Sequence, residues 1–342
     1  MLKSRTSSLI VGFLLGLVAA SLVFALLDRR EGEDGAGKRL KIGHSLPTTH
    51  PVHAGIENMA ERVAELSGGE LVLDIFPNSQ LGNETQMLEQ VQTGTLAMIK
   101  VGGGSLGDFI PEFQVFSLPY VFHSRDHHWE VLDSDIGEEM LTALETDSDG
   151  DPSGFRGLCY YDAGSRNFYA VRPLPDLESL QGLKIRVQNN PVAMNMVNAL
   201  GASPTPISWG ELYTSLQQGV VDGAENNPPS FVSNRHFEVC KHFTFNHHSM
   251  VPDVVVISTE IWERLSPQEQ DWLTQAANES SLYQRQAWET ATAEAVEQMK
   301  AEGVTVYEPD LDPFIAGTAP VREKFASGKM KTILERIAAL AD

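Results

Sequence analysis

Basic residues are scarce in this chain: 25 Lys and Arg stand against 46 Asp and Glu, for a formal net charge of −21. A body so acidic has no positive stripe with which to neutralise phosphates, which excludes binding along a nucleic-acid backbone. The same field opposes an anionic ligand, which individual arginines must then capture. Cysteine is almost absent. Cys159 and Cys240 make no CxxC pair, HExxH is missing, and the clustered histidines (His44, His50 and His53; His127 and His128; His247 and His248) fit no metal-ligand spacing, so neither a metal nor a cofactor is expected. In an oxidising compartment the two cysteines form either one disulfide or two buried thiols, and their spacing does not choose between them. Neither GxSxG nor a triad order occurs, and no carboxylate pair stands out, so no enzyme chemistry is assigned. The run Gly102-Gly103-Gly104 lacks a phosphate-loop context and reads as close approach of backbone to a ligand or to another part of the chain.

Long hydrophobic runs are confined to one place. Lys3 and Arg5 precede an apolar run of 19 residues, 9–27. That is long for the core of a cleaved signal and about enough to span a bilayer. A cleavage site at Val23-Phe24-Ala25 and an uncleaved anchor flanked by Asp28-Arg29-Arg30 both fit, and no cysteine near the run accepts a lipid. Either way the rest of the chain is exported. Residues 1–38 are assigned to signal or anchor plus a Gly-rich tether.

Beyond the tether, strand and helix signals alternate. Residues 40–44, 71–76 and 97–101 read as strands. Between them, a stripe of Ile56, Met59, Ala60, Val63 and Leu66 and a shorter one through Leu88 and Val91 read as helices closed by glycine. The alternation predicts an α/β fold with a mainly parallel sheet. Residues 110–122 read as core and residues 127–144 as one helix. Ser266-Pro267-Gln268-Glu269 is a capping box with proline at the first helical position. The helical pattern it opens runs to Glu302, long enough to span two lobes. A strand over 304–307 and helices over 313–325 and 330–340 close the chain.

The polar chemistry concentrates in residues 182–230. Residues 183–187 alternate as a strand, Pro191 opens a helix ending at Gly201, a second helix runs over 209–218, and the apolar pair Val220-Val221 follows. Arg186 stands inside the strand. Asn189, Trp209, Asn226 and Asn227 fall at element ends, where an α/β sheet presents groups to a ligand. One cation, several carboxamides and a flat aromatic suit a small hydroxylated carboxylate: the guanidinium grips the carboxylate, the amides read hydroxyls, and the ring covers the carbon skeleton. The alternative is a solvated arginine with asparagines that only make turns.

The segments KIRV, LGASPTPISWGELYTSLQQGVVDGAEN and EVCKHF, in that order, resemble the DctP-type substrate-binding proteins of tripartite ATP-independent periplasmic (TRAP) transporters, and the resemblance extends from residue 40 to the C-terminus. It implies a two-lobed periplasmic binding protein of type II-like architecture, with a ligand cleft between α/β lobes and the long C-terminal helix spanning both. Residues 40–162 and 252–292 would form lobe I, and residues 163–251 and 293–342 lobe II. By the same resemblance Arg186 holds a ligand carboxylate. Arg166, in the family's GxR pattern, lies beside the crossover with Glu225 and His248 as its partners, so that it serves as contact, brace or both. Where sialic-acid-binding relatives carry charged contacts this chain has Gly102 and Ser105, which disfavours that ligand. ENNPPS in place of the commoner ENP resembles sugar-acid-binding members and points to a hexuronate such as D-glucuronate or D-galacturonate. A C4-dicarboxylate (malate, succinate or fumarate), with Arg166 taking the second carboxylate, and a ligand-sensing receptor domain on the same fold are the alternatives. His50 and Glu84 are added as ligand contacts from loop position; the alternatives are a turn residue and a helix cap. The implied partners are the small carboxylate and the membrane permease subunits, with the protein acting as a monomer in the periplasm.

Overall fold

A computed structural model describes residues 37–341. Two sheets organise them. The first runs in the order β2–β1–β3–β10–β4, from β1 (Lys38–Gly43), β2 (Leu71–Phe76), β3 (Met98–Gly102), β4 (Phe155–Tyr161) and β10 (Asp253–Ser258). β1 is parallel to β2 and β3, but β10 runs antiparallel to both β3 and β4. The expected parallel sheet is therefore mixed, because β10 arrives from the other lobe instead of through a local helix. The second sheet runs β11–β9–β5–β8–β6–β7, from β5 (Arg166–Ala170), β6 (Lys184–Val187), β7 (Ser203–Pro206), β8 (Gly223–Asn226), β9 (His242–Ser249) and β11 (Thr305–Tyr307). The chain passes from the first sheet to the second between Tyr161 and Arg166, and returns between Ser249 and Asp253. The molecule is thus a two-lobed α/β protein, each lobe built on its own sheet.

Among the described residues twelve α-helices accompany these sheets: α1 (Pro51–Leu66), α2 (Glu84–Gln92), α3 (Gly103–Leu106), α4 (Arg125–Leu132), α5 (Asp135–Ala143), α6 (Pro191–Ala199), α7 (Trp209–Gln217), α8 (Pro228–Ser233), α9 (Thr259–Glu263), α10 (Pro267–Ala301), α11 (Asp312–Phe325) and α12 (Gly328–Ala339). The predicted helix over 127–144 is two helices, because the Ser134 hydroxyl accepts from the Ile136 N–H and starts α5 afresh. The predicted spine is a single helix of 35 residues, about 52 Å long at 1.5 Å per residue. Both halves of its capping box form, Ser266 Oγ accepting from Glu269 N–H and Glu269 Oε2 from Ser266 N–H. Leu273, Ala276 and Ala277 of α10 pack in the core of the first lobe, and Met299 packs in that of the second.

One expectation needs correction. The C-terminal segment 293–342 does not stay with lobe II: Phe314 of α11 packs there, but Ile333 and Ile337 of α12 join Phe116, Trp129 and Ile136 in the first lobe. Ionic contacts of Arg336 with Asp135 and Glu139 fasten α12 to the same lobe. For the cysteines, which the sequence left open between a disulfide and two buried thiols, the structure has the thiols. Cys159 lies on β4 in the first lobe's core and Cys240 beside Phe231 and Phe243 in the second's, and both are free thiols. Burial pushes each up to about 12. Among the described residues no helix is long and apolar enough to cross a membrane, and the run over 9–27 lies outside them.

Candidate functional site

The carboxyl ends of β6 and β8 point into a cleft between the lobes, the position where an α/β sheet offers a ligand both strand ends and helix starts. The cleft holds an inner and an outer cavity; Ser45, Glu84, Arg186, Gln188 and Trp209 line both. The lobes meet closely around it. Asn190, the N-cap of α6, donates from Nδ2 to Gly104 O (2.7 Å) and Ser117 Oγ (3.0 Å) across the divide. A Cβ on Gly104 would stand 2.8 Å from Gln188 Oε1, and one on Gly102 3.1 Å from Gln188 Nε2. The glycine run is therefore where the second lobe approaches the first.

Arg186 is the anomaly of the site. Its strand neighbours Ile185 and Val187 are core residues, and its own side chain is 2 % exposed. Nε donates to Ile207 O at 2.8 Å, and the guanidinium lies 5.5 Å from the centroid of the Trp209 ring. Nη1 is buried with no partner at all. Burial, the largest influence on it, lowers its pKa from the ordinary arginine value. A buried cation with unused donors in a cavity wall is a preformed seat for an anion, since the desolvation cost is already met by the fold.

Arg166 is arranged differently. Nε and Nη2 both donate to the Glu225 carboxylate, Nη2 also to Glu225 O (3.0 Å), and Nη1 to Asn226 Oδ1 (3.2 Å). Four of its five N–H groups are thus spent within the protein, and one on Nη1 is left for the cavity. Burial alone would raise the Glu225 pKa, but Arg166 and the His248 imidazole, whose Nε2 is 3.3 Å from Oε2, together hold it at about 2. This triad joins β5, β8 and β9 edge to edge just where the chain enters the second lobe.

The other expected residues divide in the same way. Asn226 Oδ1 accepts from Arg166 and from Asn227, which leaves its Nδ2 free to donate into the cavity it lines. Asn227 is a structural cap: Oδ1 accepts from Ser230 N–H to start α8, and Nδ2 donates to Ala163 O in the crossover. Asn189 lies at the mouth and donates to Asp108 Oδ2 of the first lobe at 2.8 Å. Trp209 begins α7 and packs against the cores of both lobes, with its indole N–H unpartnered. His50 is the N-cap of α1, its Nδ1 accepting from Val52 N–H; Nε2 reaches Ser230 Oγ at 3.1 Å across the lobes. Burial, helped by Lys100, holds its pKa well below the usual value, so the ring is neutral and donates from Nε2. Glu84 lies in the first turn of α2, whose cap is Asn83. Its two oxygens accept from Ser45 Oγ and Ser105 Oγ, both at 3.1 Å.

Lys100 and Asp253 were not anticipated. They pair at 3.1 Å on neighbouring strands, both buried, and line the inner cavity. Lys100 sits in the apolar run MIKVG, a signal of the same kind as Arg186, but its partner is 153 residues away and no local pattern links the two. Gln188 and Ser230 were also missed. Among the described residues no group of side chains is placed to hold a metal ion. The paired histidines have local roles instead, His44 Nε2 meeting His53 Nδ1 at 2.9 Å and His127 Nε2 meeting Ile337 O at 3.0 Å.

Two α/β lobes joined by crossing strands, with an unpaired arginine in the intervening cleft, define a solute-binding protein of the periplasmic type. The chain matches the model of the bacterial extracellular solute-binding proteins, family 7 (DctP), over residues 42–329, and belongs to that family. It is 32 % identical to the sialic acid-binding periplasmic protein SiaP of Vibrio cholerae over 309 residues, 89 % of this chain and 94 % of that protein. Among solved structures it resembles a TRAP periplasmic solute-binding protein of Xanthobacter autotrophicus with bound β-D-galacturonate (36 % identity, TM-score 0.84, 88 % of this chain and 99 % of that one). A second, from Pseudomonas putida with bound D-glucuronate, gives 34 % identity and a TM-score of 0.85 over 88 % and 97 % of the chains. The family expected from the sequence is the family matched.

Proposed function

We propose that the cleft captures a hexuronate, D-glucuronate or D-galacturonate, and that the protein delivers it to the membrane permease of a TRAP transporter. The observation that carries the reading is the buried, unpartnered Nη1 of Arg186 over the Trp209 ring. A carboxylate on Arg186 gains charge-assisted hydrogen bonds at a buried guanidinium, and the pyranose ring lies against the indole. Asn226 Nδ2 and the acceptor oxygens of Glu84 read hydroxyls. Among the described residues Arg186 is the one cation lining the cleft without a counter-charge, which suits one carboxylate, because Arg166 is paired with Glu225 and Lys100 with Asp253. The uronates in two similar structures support the same ligand class. Ligand binding favours the closed arrangement of the lobes by its differential affinity for it, and the closed form is the one the permease accepts. The protein works as a monomer in the periplasm, exported through its N-terminal segment, and returns its ligand chemically unchanged.

The test is a thermal-shift panel of small acids at several concentrations. A melting temperature that rises with D-glucuronate or D-galacturonate and stays put with malate and succinate supports the reading. A shift with dicarboxylates alone overturns the hexuronate, and a shift with no acid overturns the carboxylate site.

A further inference from the structure

The charges in the cleft are matched except for two. Arg166 pairs with Glu225 and Lys100 with Asp253, whereas Arg186 and Glu84 have no ionic partner among the described residues. These two come from opposite lobes, Arg186 on β6 and Glu84 on α2, and line the same two cavities. Glu84 is held by neutral groups only. Ser45 Oγ, from the loop after β1, and Ser105 Oγ, on α3, each donate to one of its oxygens, which fixes the carboxyl without cancelling its charge. Its field reaches across the site, favouring the charged form of Arg186 and opposing that of Asp253.

We infer that Glu84 is the specificity-determining residue that restricts the cleft to monocarboxylates, by placing a fixed negative charge opposite the Arg186 seat. This rests on the hexuronate reading and deepens it. With its carboxylate on Arg186, a sugar acid presents only hydroxyls to the rest of the cavity. A carboxylate side chain is acceptor-only and takes bonds from hydroxyls readily. A diacid of the same skeleton brings a second carboxylate into a buried site that already holds one. Apart from Arg186, no cation described in the cleft lacks a counter-charge, since Lys100 is paired with Asp253 and Arg166 with Glu225. Like charges brought together across an interface are a strong device for rejecting the wrong ligand. The feature that makes Glu84 a good reader of hydroxyls is thus the one that excludes aldarates and C4-dicarboxylates.

The experiment compares D-galacturonate with galactarate, in which a second carboxylate replaces the ring-closing C1 aldehyde so that the chain is open, on the wild type, Glu84→Gln and Glu84→Asp by titration calorimetry. The charge effect is read from the change in ratio between variants, which the ring difference leaves untouched. The wild type should favour galacturonate. Glu84→Gln, which keeps the size and an acceptor oxygen but loses the charge, should shift the ratio of the two Kd values towards galactarate by about tenfold or more, equivalent to about 1.4 kcal/mol. Glu84→Asp retains the charge and should retain the preference, which separates charge from shape and guards against a folding defect in one variant. An unchanged ratio in Glu84→Gln, or a wild type that binds both acids equally, overturns the role of Glu84 while leaving the hexuronate reading intact. A wild type that binds neither galacturonate nor glucuronate overturns the hexuronate reading and this inference with it.

Discussion

Replacing Arg186 should separate affinity from stability. Among the protein's own groups the buried guanidinium makes one hydrogen bond, to Ile207 O at 2.8 Å, and Nη1 has no partner. A buried polar group that lacks a partner costs roughly 1–3 kcal/mol, and more when it is charged. Arg186→Met keeps the length of the side chain and its contact with Trp209 but removes the charge. The ligand-free melting temperature should stay the same or rise, as when other buried charges give way to apolar residues. Binding should collapse. Removing one member of a desolvated charge pair costs roughly 2–5 kcal/mol, or about 30-fold to several thousand-fold in Kd. Differential scanning calorimetry of the free protein and titration with D-galacturonate and D-glucuronate read the two effects separately. A variant that binds either uronate within about threefold of the wild type refutes the reasoning, whatever its melting temperature, because a group that holds the carboxylate cannot be lost at so small a cost.

Three further outcomes follow from the same geometry. Glu225→Gln leaves Arg166 buried without its counter-charge and should cost roughly 3–5 kcal/mol of stability, seen as a lower denaturation midpoint in urea; a midpoint equal to that of the wild type refutes the brace. Burial, the largest cause in each case, holds His44 down to about 2 and both His128 and His236 to about 3, so these rings stay neutral in the folded chain while their unfolded counterparts take up protons below about 6.5. Their contribution is complete above that pH and lost as pH falls, at up to about 4 kcal/mol per pH unit for the three together, and calorimetry between pH 7 and 4 should show a steep decline in melting temperature where a flat profile would contradict it. Finally, iodoacetamide without reductant should leave the folded protein unlabelled and add two groups once it is unfolded, because Cys159 and Cys240 are buried thiols; no labelling after unfolding would restore the disulfide.

What the sequence made legible was local. The capping box at Ser266 and the proline and asparagine caps before α6 are written in a few adjacent residues, and those helices start where the pattern puts them. Arg186 stood out because a cation inside an apolar strand needs a reason. The strand β7 did not stand out, because SPTP has no apolar alternation; it lies at the edge of its sheet, where proline costs no ladder bond on the open side. The apolar pair Val220-Val221 precedes a strand that it does not belong to: Val220 is 48 % exposed and the strand is the polar GAEN that follows. That segment is buried because Glu225 meets Arg166 and Asn226 closes the cleft, and neither partner is near in sequence. The same limit hid the Lys100–Asp253 pair and the return of α12 to the first lobe. It also hid the structural work of Asn227 and His50, which line the inner cavity as expected of ligand contacts but also cap helices and tie the lobes together.

The central claim is that Arg186 seats the carboxylate of a sugar acid, and a crystal structure of the protein grown with D-galacturonate or D-glucuronate tests it most directly. The account predicts the ligand carboxylate about 2.8 Å from the Arg186 guanidinium, with the sugar ring against Trp209 and its hydroxyls towards Glu84 and Asn226. A uronate bound with its carboxylate elsewhere in the cleft, and Arg186 still unpartnered, would contradict it.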